Sequence, residues 1–463
     1  MAYEYEYERE YERGNAESII LPKAAVDMRI EEKPERHPAL WVPTLYFAEG
    51  LPYFVVATIA GLMYKSMGMA NDQIALWTGM LGFVWVFKPL WSPFLEAARS
   101  KKAIVLLFQF FGGASLGLVA LALHLPNYFA VSIALLGLVA ISSATHDIAA
   151  DGLYIASLSS TEQATYAGWQ GGFYNVARFF SMGGLVVLAG YFEKRMPVVQ
   201  AWSLIFGMLA ISMLLLAVYH LWALPVGRNP ERPAGGKGVM RGVWLTLREV
   251  IIDFFQKPGI WLAILFIILF RAGEGQITTI GPLFLRAARA EGGLGLATAE
   301  VGAVYGTLAT VAFIGGSLLG GYFTAWRGLK RSMFFLILAM NLPNLAYFFL
   351  STAMPTNLGV IGAALSLEMF GYGFGFVGLI LFIMQEVAVG KYQMAHYALG
   401  TGIMQLGYVL FKIVSGSVQA ALGYQHFFLW VLISAIPVLL LSRIVPIGRH
   451  EKAAADAARA VAS

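Results

Sequence analysis

The sequence contains no cysteine among its 463 residues, and only 13% of the residues are charged. Without cysteine, neither a disulfide framework nor a thiolate metal site is possible. Soluble chains carry about 25% charged residues, so the low charge argues against a water-soluble protein. The GxxxxGK[ST] phosphate loop, HEXXH and GxSxG are also absent, which argues against an ATP-driven pump and against two classes of hydrolase. We predict no metal, no cofactor and no enzymatic activity.

Long apolar stretches take the place of the missing charge. Hydrophobic residues make up 58% of the chain, and the mean hydropathy is +0.68. Because a helix needs about 20 apolar residues to cross a bilayer, the sequence predicts an all-α polytopic membrane protein with about twelve transmembrane helices. The stretches lie at residues 40–64, 74–95, 103–123, 128–155, 165–191, 198–221, 260–285, 298–323, 332–351, 358–385, 397–422 and 427–445.

The few charged residues are distributed as membrane topology requires. Basic residues follow the second and eighth stretches and lie between the sixth and seventh, so the positive-inside rule places both termini in the cytoplasm. These loops account for the isoelectric point of about 9.1, and we therefore expect the lipid bilayer, not nucleic acid, as a partner. Residues 1–38 are polar, begin with a Tyr/Glu repeat and lack the apolar region of a signal peptide. We expect a disordered cytoplasmic tail there.

The chain divides into two similar halves. Residues 39–223 and 259–447 each hold six stretches, and residues 224–258 between them combine a Pro/Gly-rich linker with an amphipathic helix. The motif around Glu49 in the first stretch matches that around Glu274 in the seventh, an offset of 274 − 49 = 225 residues. A duplicated six-helix unit predicts the major facilitator architecture, with a substrate site at mid-membrane between the halves. Residues 448–463 form a second cytoplasmic tail.

The fourth stretch contains SSATHDIAADGLYI, which places His146, Asp147 and Asp151 in an otherwise apolar helix. Charged groups inside a membrane are unfavourable by a few kcal/mol or more, so they usually face a pathway or a partner. Asp147 and Asp151 are four residues apart and share a helix face, whereas His146 points about 100° away. The pair predicts proton coupling, with Lys88 or Arg178 as cationic partners. A static ion-paired cluster that fixes helix packing is the alternative.

Other polar residues inside the predicted helices complete the candidate site. Arg271 and Glu274 share a face at a spacing of three, and they form either a structural pair or part of the binding and proton-release machinery. We predict that four acidic residues take part in proton coupling, namely Asp147, Asp151, Glu49 and Glu274. We predict that seven residues contact substrate, namely Lys88, Arg178, Arg271, His146, Gln170, Tyr174 and Glu368. For His146 the alternative, a structural hydrogen bond, is more usual than a role in carrying protons.

Several motifs resemble those of a known family. The loop after the eighth stretch matches the major facilitator signature at Gly321, Gly328, Lys330 and Arg331, with Ala325 in place of its Asp. The sequence is also similar to the AmpG-type muropeptide permeases, in the peptide, acetyl-CoA and drug transporter branch of that superfamily. The similar motifs, in order, are VFKPLWSPFLE, SATHDIAADGLY, FYNVARF, LFRAGEG, LEMFGYGFG and QMAHYALG.

The resemblance implies a function and also sets limits on it. It implies a proton-driven importer in the bacterial inner membrane that carries a sugar-peptide, the anhydro-muropeptide, for cell-wall recycling. The chain departs from that pattern at His146, Glu96 and His396, near Arg271 and Glu274, and by the addition of Glu49. Two alternatives remain open. The departures motivate a carrier or exporter of another solute, such as a siderophore, a sugar or a drug. The Tyr/Glu repeat of the N-terminal tail is the only hint of the other, a membrane sensor that does not transport.

Overall fold

The structure, a computed structural model, describes residues 36–92, 95, 100–158, 160–225, 237–390 and 392–447. Ten helices in these ranges are long and apolar enough to cross a membrane. They correspond to the twelve predicted stretches because the second stretch is interrupted and the last two form one continuous helical run across Gly423. The predicted all-α membrane fold is therefore confirmed. The predicted tails lie outside the described residues, apart from 36–38 at the end of the first.

The first half consists of helices α1 to α6. Their bounds are Pro38–Ser66 for α1; Asn71–Leu81, Phe83–Phe87 and Lys88–Leu90 for α2; Lys101–Ala122 for α3; Tyr128–Ser157 for α4; Ser160–Arg178, Phe179–Leu185 and Val186–Glu193 for α5; and Val198–Ala223 for α6.

The second half consists of helices α7 to α12 and is preceded by a linker helix, Lys237–Gln256. The bounds are Ile260–Phe270 and Ala272–Arg286 for α7; Thr298–Val301, Gly302–Leu308 and Ala309–Arg327 for α8; Leu329–Asn341, Leu342–Asn344 and Leu345–Ala353 for α9; Leu358–Phe382 and Ile383–Val387 for α10; 393–422 for α11; and 424–434 with Ile436–Leu441 for α12. Gly423 separates α11 from α12 with φ 68° and ψ 169°, a backbone conformation that favours glycine.

Four helices contain a wide π-helical turn. These turns are Val55–Ile59 in α1, Phe179–Leu185 in α5, Gly302–Leu308 in α8 and Ile383–Val387 in α10. In α1 the turn follows Pro52, which has no backbone N–H to continue the hydrogen-bond ladder. A π turn inserts one residue into an α-helix and is frequent at functional sites. All four helices belong to the interior of the bundle or border it.

The two halves pack together at one face of the bundle, which we call the opposite face. It holds the α1–α2, α5–α6 and α7–α8 loops, whereas the terminal face holds the start of α1, the linker helix and the end of α12. At the opposite face Asn71 Nδ2 of α2 donates to Gln419 Oε1 of α11 (2.8 Å) and to the Tyr424 hydroxyl (2.7 Å). Arg286 of α7 donates to the Ser66 hydroxyl (3.2 Å). The opposite face is closed.

Glycines bring α5 and α8 into backbone contact next to these hydrogen bonds. A Cβ atom at Gly306 would meet the backbone carbonyl of Met182, and one at Gly302 would meet the backbone of Val187. Gly190 of α5 faces the backbone of Ala299 in the same way. Small residues at a helix interface permit such close approach in membranes. A side chain at any of these positions is incompatible with the closed opposite face.

We expect Gly306→Val to hold the opposite face open, because its Cβ would occupy the position of the Met182 carbonyl oxygen. The measurement is the distance between two spin labels, attached to cysteines that replace Lys194 in the first half and Glu291 in the second. The chain has no other cysteine. The separation should lengthen relative to the parent. Gly315→Val is the matched control, since a Cβ there has open space. An unchanged distance in Gly306→Val would show that α5 and α8 separate without this contact.

The linker helix joins the second half through one face. Val250 and Phe254 are buried, and the Phe254 ring packs against His396 at the start of α11 with 5.5 Å between ring centroids. Trp244, Leu245 and Ile252 remain exposed on the other side of the helix. A helix is thus present where the amphipathic pattern predicted one. Its predicted place on the membrane surface fits this exposed apolar face.

Candidate functional site

Two connected compartments lie between the halves, on the terminal side of the closed contact. The first has a volume of about 210 Å³ and the second about 280 Å³. We call them the carboxylate compartment and the arginine compartment after the charged residues that line each. Tyr53, Tyr174, Met404 and Gln405 line both. The shared wall makes them two parts of one central cavity, as the major facilitator architecture predicts.

The carboxylate compartment contains an ion pair between Lys88 and Asp147. The interruption of α2 positions the lysine, because Lys88 begins a short 3₁₀ turn fixed by Pro89. The Asp147 side chain is 16% exposed and the Lys88 side chain 34% exposed, so both reach the cavity. Glu49 of α1 lines the same compartment, within hydrogen-bonding reach of Asp147. Sequence analysis predicted all three residues, and the structure brings them together.

Asp151 lies one helical turn from Asp147 and has different partners. Its Oδ1 accepts a hydrogen bond from the Tyr46 hydroxyl (3.0 Å), and that hydroxyl accepts one from Gln170 Nε2 (2.5 Å). Asp151 is exposed, although its helix face points to the interior of the bundle. Asp151 does not line either compartment. The spacing of four residues predicted that the two aspartates share a helix face. Gln170 bonds to Tyr46 and does not line either compartment.

The arginine compartment is lined by Arg178 of α5 and by Arg271 and Glu274 of α7. Arg271 Nε lies 3.0 Å from Glu274 Oε2, and both side chains are about 95% buried (5% and 4% exposed). Tyr372 of α10 donates a further hydrogen bond to Glu274. Arg271 lies at the break between the two parts of α7, after Phe270 and before Ala272. The predicted i,i+3 pair is therefore formed at a break in the helix, inside the cavity.

Arg178 differs from Arg271 because it has no carboxylate partner among the ion pairs of the described residues. Its guanidinium lies over the ring of Phe313, 5.0 Å from the centroid, in a cation–π contact that joins α5 to α8. Such a contact leaves the edge of the guanidinium, with its hydrogen-bond donors, directed away from the ring. Arg178 is consequently available to an anionic group in the cavity.

Aromatic side chains form much of the remaining wall. Tyr53 packs edge to face on Trp85 with 5.2 Å between centroids, and Phe54 lies 5.2 Å from Tyr174. Phe376 and Tyr408 flank Arg271 at 5.1 Å and 4.8 Å from its guanidinium carbon. Rigid, amphipathic rings with polar groups between them suit a ligand that presents both apolar faces and hydroxyl groups.

The structure places His146 outside the cavity, which corrects its prediction as a substrate contact. His146 is 2% exposed, and its Nε2 is hydrogen-bonded to Gln109 Nε2 (2.9 Å). Gln109 Oε1 is in turn bonded to His220 Nδ1 (3.0 Å), and His220 to Thr44 (2.9 Å). This network ties α1, α3, α4 and α6 together. The physical reason is the 100° rotation between neighbouring helix residues, which turns His146 away from the Asp147 face.

Glu368 also lies outside the two compartments. It is 3% exposed on α10, and its Oε2 has no hydrogen-bond partner within the described part of the chain. A direct contact with substrate would require α10 or its neighbours to move. Its predicted role in substrate binding therefore has no support from this conformation.

Tyr53, Phe313 and Tyr408 line the cavity but were missed by the sequence analysis. Tyr53 could have been found, because it lies four residues after Glu49 and so shares its helix face. Phe313 and Tyr408 carry no such signal, since aromatic residues at helical spacing are common in any membrane helix. Tyr174 was predicted, and it lines both compartments.

Comparison with known proteins identifies a family and several relatives. The family model of the Major Facilitator Superfamily matches residues 44–408. The anhydromuropeptide permease of Escherichia coli strain K12 is 25% identical over 411 residues, which cover 86% of this chain and 77% of that protein. The putative transporter AmpG 4 of Rickettsia conorii is 22% identical over 410 residues, or 86% of this chain and 94% of that one.

Solved structures share the same fold at low sequence identity. A bacterial homolog of the human lysosomal transporter Spinster, in an inward-facing and unoccupied conformation, aligns with a TM-score of 0.68 at 14% identity, covering 89% of this chain and 98% of the other. The nucleoside transporter NupG aligns with a TM-score of 0.66 at 15% identity, covering 88% and 98% of the two chains. These likenesses concern the fold alone.

Proposed function

The chain belongs to the Major Facilitator Superfamily, and from this premise we propose that it is a proton-driven importer of anhydro-muropeptides in the bacterial inner membrane. Its helices make it a multi-pass membrane protein, and its relatives make it a transporter of a small molecule rather than an enzyme. The proposal adds the substrate, the coupling ion, the direction and the membrane. Each of these rests on a separate observation.

Proton coupling is carried by the cluster of Glu49, Lys88 and Asp147 in the carboxylate compartment. With Asp151 nearby, three carboxyl groups share one ammonium group, so a fully ionised cluster would have an excess of negative charge. Binding of a proton relieves this repulsion, and a change in the accessibility of the cluster then releases the proton. The cluster lies in the cavity between the halves, where alternating access changes its exposure.

The arginine compartment supports the assignment of a sugar-peptide as substrate. Arg178 has no carboxylate partner in the part of the chain that the structure describes, and planar guanidinium groups bind carboxylates through paired hydrogen bonds. The aromatic wall suits sugar rings, whose C–H faces pack on aromatic rings. The relative named as an anhydromuropeptide permease motivates the choice among sugar-peptides.

Import is the direction that the resemblance to the muropeptide permeases implies, and charge and closure together identify the conformation. Lys101 and Lys102 lie at the terminal face, as do Lys330 and Arg331, so the positive-inside rule makes this face cytoplasmic. The opposite face is closed, whereas Asp151, one helical turn nearer the terminal face than Asp147, is exposed. We therefore assign the structure to the inward-open conformation of the transport cycle.

Uptake by proteoliposomes tests the proposal. Purified protein should accumulate labelled anhydro-muropeptide when an inward proton gradient is imposed, and a proton ionophore should abolish the accumulation. Uptake that does not depend on the proton gradient would contradict proton coupling. Gradient-driven uptake of a different solute would identify the protein as a major facilitator carrier of that solute. That second outcome is motivated by the addition of Glu49 to the family pattern.

We expect Arg178→Ala to weaken substrate binding by about 10-fold to 100-fold, since a hydrogen bond to a charged group contributes roughly 1.5–3 kcal/mol. The measurement is the dissociation constant by isothermal titration in detergent. Arg195→Ala is the matched control, because Arg195 is an exposed arginine stacked on Tyr191 at the opposite face. Equal dissociation constants for Arg178→Ala and the parent would place the anionic group of the substrate elsewhere.

A further inference from the structure

Lys412 of α11 is a buried cation that the transport mechanism described above does not use. It is 2% exposed, and its Nζ donates to the backbone carbonyl oxygen of Ala57 in α1 (2.8 Å). Ala57 belongs to the π turn Val55–Ile59 and also lines the arginine compartment. The hydrogen bond crosses from the second half to the first. Lys412 therefore lies directly behind the wall of the substrate cavity.

The position of Lys412 along α11 places it between the cavity and the closed contact. Gln405 and Tyr408 of the same helix line the cavity, whereas Gln419 accepts the hydrogen bond from Asn71 that closes the opposite face. Four helices meet around Lys412, because α11 packs on α1 through the Ala57 carbonyl, on α2 through Gly416 and on α7 through Gly275. Two of the packed helices, α1 and α2, belong to the other half.

The surroundings of Lys412 contain no carboxylate paired with it. The ion pairs among the described residues are Lys88–Asp147, Arg271–Glu274, Arg286–Glu193 and His396–Asp253. The other titratable or charged side chains on these helices are Tyr46, Glu49, Tyr53, Tyr64 and Lys65 on α1, Asp72 and Lys88 on α2, Arg271, Glu274 and Arg286 on α7, and His396, Tyr397 and Tyr408 on α11. An ammonium group has three donors, and the described residues offer Lys412 Nζ a single acceptor.

We propose that Lys412 is a proton-binding residue of the gate: its uncharged amine fits the closed opposite face, and binding of a proton drives the halves apart there. This inference rests on the proposed proton coupling and adds a residue of the second half to it. A buried charge without a partner is strongly unfavourable, so the ammonium form stabilises the conformation in which Nζ reaches water. In that conformation α1 and α11 have separated, and the hydrogen bond to Ala57 is broken.

The position of Ala57 gives the proton a link to the substrate. Ala57 contributes to the cavity wall, and its carbonyl oxygen accepts the hydrogen bond from Lys412 Nζ. A ligand that displaces the π turn would therefore also move the only acceptor that the described residues offer to Lys412. Substrate binding and proton binding at Lys412 would then affect each other reciprocally, as linkage requires.

The test uses two spin labels and needs no substrate. Because the chain has no cysteine, Lys194→Cys and Glu291→Cys introduce two unique labelling sites, both exposed and on different halves at the opposite face. Distances between the labels are measured by pulsed electron paramagnetic resonance in liposomes, from about pH 9 to about pH 6, a range over which perturbed lysines titrate. In the parent, the population with a long distance should rise about tenfold on acidification.

Two substitutions separate Lys412 from the carboxylates. Lys412→Met fills the same apolar space without charge, so the long-distance population should stay low and most of the pH response should disappear. Lys412→Arg retains the charge at every pH, so the long-distance population should be high throughout. A Lys412→Met variant that keeps the full pH response overturns the proposal, as does a parent that shows none. A parent that opens through Lys412 but does not transport anhydro-muropeptide would contradict the proposed substrate and leave this inference standing.

Discussion

Replacing Asp147 by asparagine is expected to abolish gradient-driven accumulation of substrate and to leave substrate exchange intact. Coupling to one proton across an inward gradient of about one pH unit provides about 1.4 kcal/mol, which corresponds to about tenfold accumulation of the substrate. Asparagine keeps the size of the side chain and cannot release a proton. The internal concentration should therefore approach the external one.

The reason for choosing Asp147 over Asp151 is its ion pair with Lys88 inside the cavity. Asp151 instead accepts a hydrogen bond from Tyr46 and lies closer to the terminal face. Asp151→Asn should lower the accumulation ratio less than Asp147→Asn does. The relative effects of the two substitutions distinguish a single central proton site from two equivalent ones.

The experiment compares accumulation with counterflow in the same proteoliposomes. Glu291→Gln serves as the matched control, because Glu291 is an exposed carboxylate in the α7–α8 loop and should behave as the parent. If Asp147→Asn still concentrates substrate about tenfold across a gradient of one pH unit, the proton is carried by another residue. Loss of both accumulation and counterflow would instead assign Asp147 to substrate binding or to packing.

Breaking the Arg271–Glu274 pair is expected to have the largest effect on stability. Both side chains are about 95% buried (5% and 4% exposed), and removal of one partner from a buried ion pair costs about 3–5 kcal/mol, since the remaining charge is left without compensation. Glu274→Gln should therefore lower the thermal unfolding temperature of the detergent-solubilised protein markedly. Arg271→Gln should do the same.

The double variant Arg271→Gln with Glu274→Gln separates structure from function. Two amides carry no charge and can bond to each other, so the unfolding temperature should return close to that of the parent. We expect this stable variant to remain inactive in transport, because both residues line the cavity. A double variant that is both stable and active would show that the pair serves packing alone, which was the structural alternative at the outset.

The sequence was sufficient to predict the helices and most of the charged lining of the cavity. Carboxylates and arginines inside the membrane are conspicuous because the bilayer disfavours charge. The sequence alone therefore predicts Glu49, Asp147 and Arg271 as site residues. Their pairing with partners on other helices, such as Lys88 with Asp147, was predicted only as one of two options. Whether Lys88 or Arg178 pairs with Asp147 depends on the break in α2, because the break changes the direction of the Lys88 side chain.

Other features depend on tertiary packing and had no local signal. The π turns involve hydrogen bonds shifted by one residue, which sequence periodicity does not record. His146 and Asp147 are neighbours in sequence, yet one is in a buried network and the other lines the cavity. Lys412 is the charged residue of the eleventh stretch, but only the packing of the helices around it shows that no carboxylate of the described residues pairs with it.

The π turn in α1 also bears on how that helix can move. A π turn holds one residue more than an α turn, so its conversion to regular α-helix would rotate everything beyond it by about 100°, the angle between successive helix residues. Beyond the turn Val55–Ile59, α1 carries Tyr64 against Ser132 of α4 and Ser66 against Arg286 of α7. Such a rotation would remove both contacts in a single step while Glu49 and Tyr53, before the turn, kept their orientation. The π turn would therefore allow the two ends of α1 to rotate independently about the helix axis.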